Sequence, residues 1–232
     1  MFNMKTQSAY KGETLVALMV GMSVGMIVVA AVAAMLVSTL SLNAHALNNS
    51  YLNQELRAIM DIMVRDIRRA QYSATAADCI AGATCTNAFI DGAEDWTVEA
   101  AQIEYSYDLD LDGTQDVSED EDDKEECFGF RRTVDSGVGK VEKKYSCSPN
   151  WQSLSDANVV DIEDLRFSAG TDCVASGSGF LAVREVKIFL EGSHAGTSRR
   201  LCQKVRIKND LPNATCAVTT LSTDAPFDIC PP

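Results

Sequence analysis

Carboxylates at alternating positions mark residues 108–119 as the stretch best suited to chemistry. The segment DLDLDGTQDVSE fits D-x-[DN]-x-[DN]-G-x5-E, the pattern of calcium-binding loops. Calcium takes roughly six to eight oxygen ligands, and glycine at the sixth position permits the sharp turn that makes alternate side chains converge. The predicted Ca²⁺ ligands are the side chains of Asp108, Asp110, Asp112, Asp116 (directly or through water) and Glu119, and the backbone carbonyl of Thr114.

A solvated acidic surface is the alternative explanation for this loop. Eleven acidic residues and one Lys124 lie between Asp108 and Glu126, and acidic runs match such patterns readily. The alternation of residues 102–107 predicts a strand in front of the loop. We therefore expect a structural calcium loop carried by a sheet, and not a helix–loop–helix sensor.

An uncharged run from Thr14 to Ala44 dominates the N-terminal part of the chain. As a helix it would be about 46 Å long, against a bilayer core of about 30 Å. Lys5 and Lys11 precede the run and an acidic region follows it, which predicts a cytoplasmic N-terminus. Gly21 and Gly25 form a Gly-x-x-x-Gly pair that suits close helix packing, although such pairs are common in membrane helices.

Amphipathic spacing continues behind the apolar run. Leu52, Leu56, Ile59, Met63 and Ile67 recur at steps of three and four, with no Gly or Pro between Asn43 and Ile80. The pattern predicts one helix from Thr14 to Tyr72.

The first twelve residues, MFNMKTQSAYKG, form a short basic leader that ends in Gly12. Together with the segment KGETLVALMV, this leader resembles those of type IV prepilins. The resemblance implies cleavage after Gly12 by prepilin peptidase and methylation of Glu13. Two positions depart from the family pattern: Glu13 replaces the usual Phe, and Ala17 replaces the usual Glu.

In the family, the missing glutamate pairs with the N-terminal amine of a neighbouring subunit. A subunit with Ala17 cannot make that contact, which favours a position at the filament tip. The alternatives are that Glu13 neutralises an amine or that assembly tolerates the loss.

Several segments downstream of the helix predict strands. They are Gln102–Tyr107, a Cys127–Thr133 and Lys140–Cys147 hairpin, Val159–Phe167, Phe180–Leu190 and Leu201–Ile207, with turns at Asp172–Gly179 and Gly192–Thr197. A long helix followed by an antiparallel sheet is α+β. With Met60–Ala70, Trp151 and Val205–Asn209, this layout resembles PilW-type minor pilins and the related GspJ-like minor pseudopilins. It implies a leader (1–12), a helix (13–72, membrane segment 14–44) and a globular domain (73–232).

All cysteines follow the apolar run, which predicts disulfides formed in an oxidising compartment. Pairing between sequence neighbours is the simplest of many connectivities, and buried free thiols are the alternative. The neighbour pairs are Cys79–Cys85, Cys127–Cys147, Cys173–Cys202 and Cys216–Cys230.

The net charge and the absence of catalytic motifs restrict the functions that the sequence suggests. A net charge of −13 disfavours nucleic-acid binding, and the sequence contains no familiar catalytic motif. The resemblance implies a non-enzymatic minor pilin, anchored in the inner membrane and then carried to the pilus. Its implied partners are other minor and major pilins, prepilin peptidase and the assembly platform, in filament initiation for adhesion, motility or DNA uptake. A type II secretion pseudopilin and a calcium-dependent adhesin are the alternatives.

Overall fold

One long helix and two antiparallel sheets make up the described part of the protein. A computed structural model describes residues 15–74, 89, 96–117, 125–176, 179–208 and 211–213. The chain divides into two compact units, Met1–Leu47 and Asn48–Pro232. The α+β class predicted from the sequence is confirmed.

Helix α1 spans Leu15–Ile67. It ends five residues before the predicted Tyr72, and Thr14 lies outside the described residues. Residues 68–72 form a tight turn in which Ala70 N–H donates to Ile67 O and Tyr72 N–H donates to Arg69 O. Gln71 then adopts a left-handed conformation (φ 60°), which ends the helix without glycine or proline.

The first sheet is a five-stranded meander of neighbouring strands. Strands β1 and β2 are followed by the β3–β4 hairpin, which turns at Ser136 and Gly137, both with positive φ. The strands are β1 (Trp96–Val98), β2 (Gln102–Ser106), β3 (Cys127–Asp135), β4 (Val138–Lys144) and β5 (Trp151–Ser153).

The second sheet is built on two sixteen-residue strands. The strands are β6 (Asp161–Ser176), β7 (Gly179–His194), β8 (Thr197–Arg206) and β9 (Leu211–Asn213). Strand β7 is central, paired with β6, β8 and β9. The predicted turns at both ends of β7 are too long, because residues 172–176 and 192–194 continue the strands. The second prediction does contain the observed turn at Ala195 and Gly196, both with positive φ. Strands β1, β5 and β9 were not predicted.

Both sheets share one core with the second half of α1. The predicted stripe of Leu52, Leu56, Ile59, Met63 and Ile67 is confirmed, with each side chain at most 1 % exposed. The stripe clusters with apolar residues of both sheets, among them Ile103, Phe130, Val141, Ile162, Leu165, Ile188 and Val205. The amphipathic half of the helix is therefore held by the burial of one apolar stripe.

The sheets meet where β4 crosses the start of β6. Gly139 N–H donates to Asp161 Oδ1 (2.7 Å), and Arg132 Nε donates to the Ile162 carbonyl (2.7 Å). A β-carbon on Gly139 would lie 1.9 Å from that carbonyl oxygen. Only glycine permits this close approach of the two backbones.

Candidate functional site

The acidic loop joins two strands that lie side by side. Strand β2 ends at Ser106 and β3 begins at Cys127, and these two residues are direct partners in the ladder. The pairing of β2 with β3 therefore brings the last residues of the loop close to its first residues. Asp108 and Glu126 become neighbours although eighteen positions separate them in the sequence.

Asp108 anchors the loop from a buried position. Its Oδ1 accepts a hydrogen bond from Leu111 N (2.6 Å). Its Oδ2 accepts from Gly113 N (3.1 Å) and from Ala74 N (2.7 Å), beyond the helix end. Gly113 has φ 82°, as the sixth position of a calcium loop requires.

The next two carboxylates are exposed and order the loop locally. Asp110 Oδ1 accepts from Asp112 N (3.1 Å), and Asp112 Oδ1 accepts from Thr114 N (2.7 Å). The hydrogen bond from the Thr114 backbone holds the pKa of Asp112 below its usual range, with help from the Thr114 hydroxyl. Thr114 is thus placed beside the carboxylates by its amide and hydroxyl groups.

Glu126 is the residue that the sequence pattern missed. Its side chain is fully buried and accepts hydrogen bonds from Leu109 N and Asp116 N. Burial, helped by the charges of Asp108 and Asp110, raises the pKa of Glu126 to about 7, against the lowering effect of the two amide donors. A carboxyl with this pKa is half protonated near neutral pH unless a cation stabilises its charged form.

The carboxylates form two overlapping groups with metal-site spacing. Asp108, Asp110 and Glu126 make one, and Asp110, Asp112 and Asp116 make the other, with the ligand oxygens of each within 4.8 Å of one another. Oxygen-only donors suit a hard cation such as Ca²⁺. Four of the predicted ligands are thus brought together, whereas Glu119 lies outside the described residues.

A disulfide closes the base of the loop. Cys127 and Cys147 are bonded, with their Cα atoms 4.7 Å apart, which confirms this predicted pair. Glu125 accepts hydrogen bonds from Cys147 N and Ser148 N, so the returning end of the loop is fixed to the segment between β4 and β5.

The predicted Cys173–Cys202 pair is wrong. Cys173 is opposite Ala182 and Cys202 is opposite Phe189. These partners lie seven positions apart on β7, about 23 Å at the rise of a strand, whereas bonded cysteines have Cα atoms about 4–7 Å apart. Cys202 is itself disulfide-bonded. Cys79, Cys85, Cys216 and Cys230 lie outside the described residues.

A second polar cluster, also missed by sequence reasoning, joins α1 to the first sheet. Lys143 Nζ lies 2.7 Å from Asp66 Oδ2, and both side chains are largely buried. The Tyr107 hydroxyl donates to Asp66 Oδ1 (3.2 Å). Burial and then the Asp66 charge raise the pKa of Tyr107 far above its usual range, so the phenol stays protonated and can donate. A lone acid on a helix gives no sequence signal for such a partner.

Comparison with known families identifies the chain. The sequence model of prepilin peptidase-dependent protein B (PpdB) matches residues 45–207, more than half of the chain. The chain belongs to the PpdB family. No curated protein and no solved structure matches it significantly.

Membership of the PpdB family agrees with the N-terminal part of the chain. The chain is a prepilin peptidase-dependent, pilin-like protein related to type IV pili. Helix α1 is long and apolar enough to cross a membrane, and its large apolar side chains from Leu15 to Leu47 are exposed. The predicted processing residues Gly12 and Glu13 lie outside the described residues.

Proposed function

We propose that this PpdB-family protein is a minor type IV pilin of the PilW kind that acts in the initiation or tip of pilus assembly. The observation that carries the proposal is the family match over residues 45–207 in a chain with a long exposed apolar helix. Prepilin peptidase removes residues 1–12 and methylates Glu13. The apolar part of α1 anchors the subunit in the inner membrane, with the N-terminus in the cytoplasm and the domain in the periplasm.

Assembly then uses the same helix. The membrane segment leaves the bilayer and packs among the helices of other minor and major pilins, directed by the inner-membrane assembly platform. Ala17 supports a position at the tip, because a tip subunit has no subunit ahead of it whose amine needs a carboxylate partner. No catalytic role is proposed, and the net charge of −13 argues against direct nucleic-acid binding.

The first test is the intact mass of the protein extracted from membranes, with and without active prepilin peptidase. We expect loss of residues 1–12 and one added methyl group only when the peptidase is active. An intact leader in both strains would contradict the proposal and leave a membrane-anchored adhesin as the alternative. A protein retained in the secretion machinery and absent from sheared pili would favour a type II secretion pseudopilin.

We further propose that the acidic loop binds Ca²⁺ as a structural ion. The observation that favours it is the meeting of Asp108, Asp110 and Glu126, two of them buried, within 4.8 Å. Negative charges this close repel one another when all are ionised, and a divalent cation removes that cost. The fold supplies the last carboxylate from Glu126, directly before β3, which suits a calcium loop placed on a sheet.

Calorimetry and thermal melting of the full chain in detergent test the calcium proposal. We expect saturable binding and a higher melting temperature with Ca²⁺. The effect of equal Mg²⁺ should be smaller, because Mg²⁺ demands near-ideal octahedral coordination and loses its water ligands reluctantly. Asp110→Asn/Asp112→Asn should remove most of the effect. Unchanged melting at millimolar Ca²⁺ by a folded protein would contradict the proposal.

A further inference from the structure

Cys202 of β8 carries a disulfide whose partner can be narrowed down by geometry. It is bonded to another cysteine of the chain, while Cys127 and Cys147 are bonded to each other. The partner is therefore one of the five remaining cysteines, whose side chains lie outside the described part of the protein. They are Cys79, Cys85, Cys173, Cys216 and Cys230.

The Cys202 side chain lies on the outward face of the second sheet. Val205 marks the core side of β8, because its side chain is fully buried. Side chains alternate between the two faces along a strand, so Cys202, three positions before Val205, faces away from the core. Its ladder partner on this outward face is Phe189 of β7. The bonded cysteine must reach the same face.

Strand pairing places two of the five candidates too far from Cys202. Cys173 lies about 23 Å away along the sheet. Asn213 of β9 pairs with Phe180, nine positions before the ladder partner of Cys202, which corresponds to about 30 Å. Cys216 follows Asn213 by three residues, which span at most about 11 Å. Neither candidate can come within the distance of about 4–7 Å that separates the Cα atoms of bonded cysteines.

Two further candidates belong to a segment that is attached to the first sheet at both ends. Cys79 and Cys85 lie between Ala74, whose N–H donates to Asp108 Oδ2 (2.7 Å), and Trp96, the first residue of β1. Cys202 faces away from the core that the two sheets share. A bond to either cysteine would require this segment to leave the first sheet, pass the second sheet and return.

Cys230 has both the reach and the surroundings for the bond. It follows Asn213 by seventeen residues, and an extended chain of that length spans up to about 56 Å. This exceeds the distance of about 30 Å that has to be covered along β7. Phe227 and Ile229 lie next to Cys230 in the sequence, so the segment brings apolar side chains to the face that carries Phe189.

We propose that Cys202 is bonded to Cys230, which fixes the C-terminal part of the chain to the outward face of β8. The bond closes a covalent ring that contains β9. Strand β9 pairs with β7 over three residues, and so short a ladder gains stability when a ring limits how far the strand can separate. The assignment replaces the predicted pairing of Cys216 with Cys230.

Formation of the bond is an oxidation. The two thiols lose two protons and two electrons, and a disulfide-donating oxidoreductase accepts them as its own disulfide is reduced to two thiols. This step requires that the domain reach an oxidising compartment, and in that respect alone the inference rests on the proposed function.

Peptide mapping of the full chain, extracted in detergent and alkylated without reduction, tests the assignment. Trypsin releases residues 201–204 (LCQK), and a protease that cuts before aspartate releases residues 228–232 (DICPP). We expect these two peptides to be joined, and to separate on reduction. The joined peptides of Cys127 and Cys147 in the same digest establish that the protein is oxidised.

Two cysteine variants provide a matched comparison. Thiol labelling before reduction should modify Cys202 in Cys230→Ser and leave it unmodified in Cys216→Ser. If a variant does not fold, the linkage found in the unmodified protein decides. Residues 201–204 joined to any other cysteine, or alkylated as a free thiol, would overturn the inference. Because the map does not depend on removal of the leader, its failure is separate from failure of the prepilin peptidase test.

Discussion

Glu126 has surroundings unlike those of the exposed carboxylates in the same loop. It is fully buried, held by two backbone amides and close to Asp108 and Asp110. The amides fix the carboxylate geometry, while burial and the neighbouring charges make its ionised form costly. A bound cation removes this cost, because the carboxylates that repel one another then coordinate the cation.

The first prediction separates Glu126 from Glu119 as the final calcium ligand. Glu126→Gln keeps the shape of the side chain and removes its charge. We expect it to weaken Ca²⁺ binding by at least about tenfold, since calcium affinity follows the charge of the ligand set. Calorimetry on this variant and on Glu119→Gln provides the comparison. A loss confined to Glu119→Gln would favour the ligand assigned by the sequence pattern.

The second prediction concerns the buried ion pair. Lys143→Met removes the cation 2.7 Å from Asp66 and leaves a buried carboxylate without its counter-charge. We expect the free energy of unfolding in urea to fall by about 3 kcal/mol. Asp66→Asn/Lys143→Met should recover part of the loss. A double variant less stable than Lys143→Met would contradict this account.

At the scale of elements, the contact between β4 and β6 depends on the absence of a side chain at Gly139. Gly139→Ala places a methyl group against the Ile162 backbone, so the two sheets must separate locally. We expect destabilisation by about 2–3 kcal/mol in urea unfolding. Gly25→Ala on α1 is the matched control, because its methyl group would meet no atom within 4 Å. Equal stability of both variants would mean that the sheets adjust freely at this crossing.

Elements with local signals were predictable, and those set by distant contacts were not. The stripe on α1 and the β3–β4 hairpin follow from spacing and turn residues. The helix end does not, because Gln71 takes positive φ as its amide bonds Ser106 O across the fold. The same distinction applies to the acidic loop. The alternating spacing of its carboxylates predicted Asp108, Asp110 and Asp112, whereas Glu126 comes close to them only because β2 pairs with β3.

For the whole molecule, Glu126 links stability to pH. Its pKa is raised from 4.5 to about 7 in the folded protein, so the folded state holds this proton more tightly than the unfolded state. The stability gained from the protonated form is complete below pH 4.5 and is lost as pH rises through 7.

The fourth prediction follows for the calcium-free protein. In EDTA, the free energy of unfolding should fall by up to about 3 kcal/mol between pH 5 and 8. Ca²⁺ should restore stability at pH 8, and Glu126→Gln should flatten the pH dependence. Urea unfolding at a series of pH values measures this, and a rise in calcium-free stability over that range would contradict it.

The short segment after α1 also determines how the globular domain responds to a pulling force applied through the helix. Gln71 N–H bonds to Ser106 O and Asp108 N–H bonds to Tyr72 O, while Lys143 holds Asp66 one helical turn earlier. A pull transmitted through the helix would load these three attachments together, and not one after another. We expect a domain so attached to resist being torn from its helix, a property that suits a subunit drawn out of one environment and into another by its N-terminal end.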